Sequence, residues 1–181
     1  MDLRITTLIE NNPDDKKELC FEHGLSLLIE ADGKRILFDT GQSGDFIKNA
    51  TALNQNLENL DFVIISHGHY DHSGGFERLV ENVKKVPQVV VGEEFFRQKY
   101  KTVSENEYKY NGVSFSEDYL SEKGISLNKV KEDIVYLTQH IMVFHHFKQS
   151  NDFEKRNTKF FYKENTHYSP DAFDDEISLG I

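Results

Sequence analysis

"IISHGHYDHSGG", residues 64–75, is the stretch on which the reading of this chain turns. Three of the chain's eight histidines and one aspartate (His67, His69, Asp71 and His72) fall within six residues here. They follow the apolar run "DFVIIS" (61–66) and precede two glycines. Such a cluster can be a solvated loop, a nucleic-acid contact or a metal cradle. Charge argues against nucleic acid. The 181 residues carry 31 acidic against 21 basic side chains, a net charge of −10, and no basic stripe of the kind that phosphate-backbone binding requires.

Spacing argues for the cradle. Alternate residues of an extended segment point the same way, so His67 and His69 share a side. Asp71 and His72 then turn back at the entry to a helix. Nitrogen and oxygen donors of this mix suit zinc, and also iron or manganese, and four of them can serve two adjacent ions. Gly68 and the pair Gly74 and Gly75 are expected to let the backbone bend tightly around the ions. "DFVIIS" is nearly continuously apolar, as in a strand buried on both faces. The C-terminal ends of such strands are where open α/β sheets carry their sites.

The surrounding chain alternates strands and helices. Residues 3–9 read as a first strand, ended by the polar "ENNPDDKK". "LSLLIE" (25–30) and "KRILFD" (34–39), joined through Asp32 and Gly33, read as a hairpin. A helix fits 44–53, with Ser43 as cap, Asp45 at its positive end, and Phe46, Ile47, Ala50 and Leu53 on one face. Phe76, Leu79, Val80 and Val83 mark a second amphipathic helix. "QVVVG" (88–92) is a strand, "EEFFRQKY" (93–100) a helical turn or two, and "SEDYLSEKG" (116–124) a small helix from Ser116 to a stop at Gly124. From Thr138 onward no period is clean, and the expectation is an irregular excursion with one strand over 159–162. The pattern is α/β, and the length suits a single domain over 1–181.

The single cysteine, Cys20, cannot form an internal disulfide, which fits a reducing compartment. No partner histidine marks it as a catalytic thiol. The N-terminus lacks the pattern of a signal peptide, and no apolar run approaches the roughly 20 residues of a membrane span. The expected location is the cytoplasm, with no membrane partner.

His67-x-His69-x-Asp71-His72 behind an apolar strand resembles the signature of the metallo-β-lactamase-fold hydrolases. The longer string "EHGLSLLIE…RILFDTG…SHGHYDHSGG", together with "FSEDYLSEKG" and the later "DDE-I-S-L", is similar to one branch of that superfamily. That branch includes the dihydropterin–ribofuranosylaminobenzene phosphate synthases. The resemblance implies an αββα sandwich, here the N-terminal half plus an irregular extension. It implies that His67 and His69 hold a first Zn (or Fe/Mn) ion and that Asp71 and His72 hold a second. Asp71 is also the candidate catalytic residue, and Asp39 of "FDTG" orients the site from beneath. A hydroxide bridging the ions would attack a small-molecule ester or phosphoester bond.

Two departures temper these implications. The branch has His-Pro where this chain reads Gly92 and Glu93. No later stretch reads as the histidine–acid–histidine series that completes both ions, so the domain looks truncated at its C-terminus. A rival reading is therefore a non-catalytic fragment with an incomplete metal site, or one half of a split enzyme. "FDTG" also admits an aspartic-protease reading, which would need a dimer to pair two carboxylates and would leave the histidines unexplained. The inner sheet face is expected to be covered by strands from 138–181, by a second copy of the chain, or by a C-terminal half carried separately. Candidates to finish an ion are His140, His145, His146 and His167; His23 is expected half-buried at a strand end or lining the mouth.

Overall fold

Apolar residues that alternate along three parallel strands place the core on both sides of one sheet. The computed structural model describes residues 2–105, 107–148, 153 and 157–181. Its first six elements are β1 (Leu3–Ile9), β2 (Ser26–Ala31), β3 (Lys34–Phe38), α1 (Asp45–Ala52), β4 (Phe62–Ile64) and α2 (Tyr70–Ser73). There follow α3 (Phe76–Asn82), β5 (Gln88–Gly92), β6 (Lys99–Ser104), β7 (Glu107–Tyr110), α4 (Glu117–Glu122) and β8 (Leu127–Val130). The chain continues through β9 (Ile134–Tyr136), β10 (Met142–Phe144), β11 (Phe160–Glu164), β12 (His167–Pro170) and β13 (Ser178–Gly180).

The main sheet runs β1-β2-β3-β4-β5-β8, antiparallel through β3 and parallel beyond it. The β2–β3 hairpin turns at Asp32 and Gly33, both at positive φ, as a two-residue primed turn demands. Leu28, Leu37, Val63, Val89 and Val91 face the helical layer, where Phe46, Ala50, Phe76, Leu79, Phe115 and Leu120 bury against them. Their neighbours Ile29, Ile36, Ile64 and Val90 face the other way. A period of two along each strand produces this division.

That second face is covered by the chain's own later segment. β9, β10 and β13 form a three-stranded sheet, ordered β13-β10-β9, whose Val143 packs with the flanking Ile141 and Ile177 on Ile29, Ile36, Ile64, Val90 and Val130. The cover stops short of β1, where Leu3 and Ile5 remain 52% and 54% exposed. A third, four-stranded sheet, β12-β11-β6-β7, carries the segment that reaches the histidine loop.

The extension is thus more regular than its sequence suggests. It holds β10, β11, β12 and β13, though residues 149–152 and 154–156 of the expected excursion lie outside the described residues. Residues 93–100 form a turn and the start of β6 rather than a helix, because Phe95 and Lys99 are both drawn inside. Ser43 is not the N-cap of α1. Gly44 holds that place, and Ser43 Oγ accepts the Asp45 N–H at 3.2 Å from one residue earlier. Ser116 does cap α4, accepting the Tyr119 N–H.

If the later strands belong to the same cooperative core, truncating the fully buried Ile141 to Ala removes packing from that core. The expected cost is about 2–5 kcal/mol in urea unfolding with an unchanged m-value. A change below about 0.5 kcal/mol would show that the covering sheet is not part of the folded unit.

Candidate functional site

The ends of β3 and β4 are tied together by one side chain. Asp39, fully buried just after β3, accepts the Ser66 N–H at 2.6 Å, the Ser66 hydroxyl at 2.8 Å and His72 Nδ1 at 2.7 Å. Its own N–H donates to the Ile64 carbonyl at 2.8 Å, and it sits at φ 60°. Burial pushes the Asp39 carboxyl upward, opposed by the hydrogen bond and charge of His72. Burial alone would lower His72, but the hydrogen bond and charge of Asp39, with the charges of Asp71 and Glu176, together raise it. Because Nδ1 is engaged below, His72 presents Nε2 outward.

His67 and His69 lie beside His72, with ring centroids 4.2 Å apart for His67–His72 and 4.8 Å for His67–His69. His67 Nδ1 meets the Ser66 hydroxyl at 3.0 Å. Burial holds His67 well below the usual imidazole range. His69 is lowered to about 4, first by burial and then by the nearby Lys99 charge. His69 Nε2 is buried without a hydrogen-bond partner. Asp71 Oδ2 stands 3.6 Å from His72 Nε2 and 3.2 Å from His23 Nε2. The four residues of the motif are therefore brought to one place, with Asp39 beneath them. The glycines of the loop serve room rather than bend. Gly75 has a negative φ, −81°, but a Cβ there would lie 2.1 Å from the Thr40 carbonyl.

A buried ion triad that sequence reasoning missed closes the other side. Lys99, 2% exposed, donates to Asp171 Oδ2 at 3.0 Å and to Asp175 Oδ1 at 2.7 Å. Asp175 Oδ2 accepts the Gly68 N–H at 2.6 Å, and the Ile177 N–H donates to the Ser66 carbonyl at 2.8 Å. Asp171 Oδ2 lies 3.8 Å from His69 Nε2. Phe160 and Phe173 pack their rings on His69. Gly92 leaves space for this segment, since a Cβ there would meet the Asp175 carbonyl at 2.1 Å. Glu93 is turned outward and pairs with Lys131.

The expected stand-in histidines do not join the cluster in any described contact. His145 Nε2 bonds the Asp174 carbonyl at 2.8 Å and is buried, His146 pairs with Asp133, and His140 and His167 are exposed. His145 alone of the four is buried. His23 is neither half-buried nor idle: its side chain is 66% exposed at the mouth. Cys20 is free, and its backbone N–H and C=O are both bonded by the Asn49 side chain. Among the described residues no three His, Cys, Asp or Glu side chains close on a common point as a preformed metal site. The donor set nonetheless fits one: imidazoles kept neutral by burial, an unpartnered His69 Nε2, and a carboxylate between nitrogen atoms.

The family model described as the metallo-beta-lactamase superfamily matches residues 21–148. This chain belongs to the metallo-beta-lactamase superfamily. Tm1679, a metal-dependent hydrolase of the beta-lactamase superfamily, superposes with a TM-score of 0.75 at 30% identity over 98% of this chain and 60% of its own. The 7,8-dihydropterin-6-methyl-4-(beta-D-ribofuranosyl)-aminobenzene-5'-phosphate synthase of Methanocaldococcus jannaschii is 30% identical over 99% of this chain and 63% of its own length. The uncharacterized protein MJ0448 of the same organism is 36% identical over 96 residues, 53% of this chain and 37% of that protein. The chain thus spans less than two thirds of each of these relatives.

The burial of His69 makes a pH prediction. In the metal-free chain its ring resonances should stay at the neutral position until pH approaches about 4. The unfolded chain takes up that proton first, near 6.5. His69's contribution to stability is therefore fully present above pH 6.5 and is lost as pH falls toward 4. An NMR titration of the folded, metal-free chain placing His69 at 6 or above would contradict the burial argument.

Proposed function

We propose that the chain carries the metal-binding part of a metal-dependent hydrolase acting on a small-molecule ester- or phosphoester-type bond, or of a related pterin- or phosphate-processing enzyme. The observation that carries the reading is the gathering of His67, His69, Asp71 and His72 at the end of β4, with Asp39 fixing His72 from below. His67 and His69 would hold one ion, Asp71 and His72 a second, with zinc, iron or manganese all suited to the donors. When bound, such ions supply Lewis acidity and acidify water.

The chain's own residues do the rest. Burial keeps His67 and His69 neutral, so protons do not compete for their donor nitrogens. Asp39 fixes the His72 tautomer. Asp71, with a side chain 15% exposed, is the carboxylate nearest the mouth and the candidate to accept a proton during the reaction. Phe160 and Phe173 exclude water from the inner side of His69. The net charge of −10 speaks for a small molecule rather than nucleic acid. The named synthase from M. jannaschii supports a pterin- or phosphate-containing substrate. No helix among the described residues is long and apolar enough to cross a membrane. We assign the chain to the cytoplasm on the strength of its one unpaired cysteine.

A second reading, a non-catalytic fragment with an incomplete metal site or one half of a split enzyme, is favoured by one observation: among the described residues no three His, Cys, Asp or Glu side chains close on a common point. Zinc- or manganese-loaded protein, assayed on generic esters and phosphodiesters, separates the readings. Turnover that disappears on chelation, and in the His67→Ala/His69→Ala double variant together with its bound metal, is the expected result. Metal content left undiminished in that variant, or activity that survives strong chelation, would refute the hydrolase reading. Tight metal binding without turnover would favour the fragment.

A further inference from the structure

We propose that His23 is a third protein donor to the ion held by Asp71 and His72. This rests on the metal-binding reading above. His23 lies in the loop between β1 and β2, well apart in sequence from the histidine cluster. Its Nε2 is 3.2 Å from Asp71 Oδ2, and the same oxygen is 3.6 Å from His72 Nε2. Four donors bonded to zinc at about 2.0–2.1 Å on tetrahedral corners stand roughly 3.3 Å from one another. The two observed separations bracket that spacing.

The far side of each ring is already engaged. His23 Nδ1 meets Asn11 Oδ1 at 2.8 Å, and that oxygen also accepts the Gly24 N–H at 3.2 Å. An oxygen that accepts twice requires the ring nitrogen to donate, so the Nδ1 of His23 carries its proton. His72 Nδ1 likewise donates to Asp39 at 2.7 Å. Both Nε2 atoms are thus turned toward one Asp71 oxygen, so the three potential donors face a common region. Outer partners on Nδ1 of this kind are how metal-binding histidines are oriented.

His23 is held in place by its neighbours rather than by chance. Gly24 has φ +130°, and a Cβ there would fall 2.0 Å from the Asp71 carbonyl oxygen. The Leu25 N–H reaches that same carbonyl at 3.4 Å. Glu22 Oε1 accepts the N–H groups of Gln42 and Ser43, each at 3.1 Å. The turn 22–25 is thereby fastened to the backbone of Asp71, which keeps the His23 ring beside the Asp71 carboxylate. With His23 included, the ion has three protein donors and an open fourth position, the arrangement of catalytic zinc sites.

The test is a titration of the full metal-stripped chain with Zn2+ in competition with a chromophoric chelator. His23→Gln keeps an amide that can hydrogen-bond Asp71 but loses the imidazole donor. It should weaken one Zn2+ by at least about 100-fold, beyond the 10–100-fold typical of losing an outer partner, with an unchanged circular dichroism spectrum. Asn11→Ala should weaken the same ion by about 10–100-fold and serves if His23→Gln does not fold. Parent-like affinity and stoichiometry in His23→Gln, or in Asn11→Ala if it serves instead, would overturn the role of His23 and leave the metal reading standing. A parent chain that takes up no Zn2+ would overturn both.

Discussion

Asp39 is a carboxylate with no exposed surface, and the arrangement of the site depends on it. Removing an ion of this size from water costs several kcal/mol unless its lone pairs are met. Here the Ser66 N–H, the Ser66 hydroxyl and His72 Nδ1 meet them. The first two fix where the chain leaves β4 relative to β3. The third fixes the orientation of a ring on α2. One buried group thus ties the end of β3 to the end of β4, to the start of the histidine loop and to the ring of a site residue.

The Lys99–Asp171–Asp175 triad does for the outer wall what Asp39 does for the base. Its one buried ammonium is shared by two buried carboxylates, and Asp175 also binds the backbone of Gly68 inside the histidine loop. Buried ion groups are weak evidence for stability, because their desolvation offsets much of their attraction. Their effect here is positional: a strand from the four-stranded sheet and a segment more than seventy residues later are held against the same loop. The positive charge of Lys99 also helps keep His69 unprotonated.

Much of this was legible in the sequence, where local pattern and local structure coincide. The Asp32–Gly33 hairpin, the amphipathic α3, the Ser116-capped α4 and the histidine cluster behind β4 each carry their signal within a dozen residues. β10 and β13 are three residues long and too short to show a period, so the cover of the second sheet face is written in isolated residues such as Val143 and Ile177. Lys99, Asp171 and Asp175 have no local signature, since a buried charge looks like any surface charge until its partner is known. His23 gave a weak signal for the same reason: its meaning comes from Asp71 and Asn11, across a turn that only the fold creates.

The central claim is that the loop leaving β4 is a metal cradle built on Asp39. A crystal structure of the zinc-soaked chain, with anomalous data collected on both sides of the zinc edge, tests it most directly. The account predicts an anomalous peak within bonding distance of Asp71 and His72 Nε2, with the Asp39 carboxylate still on His72 Nδ1. Fully occupied zinc elsewhere on the surface, with none at residues 67–72, would contradict it.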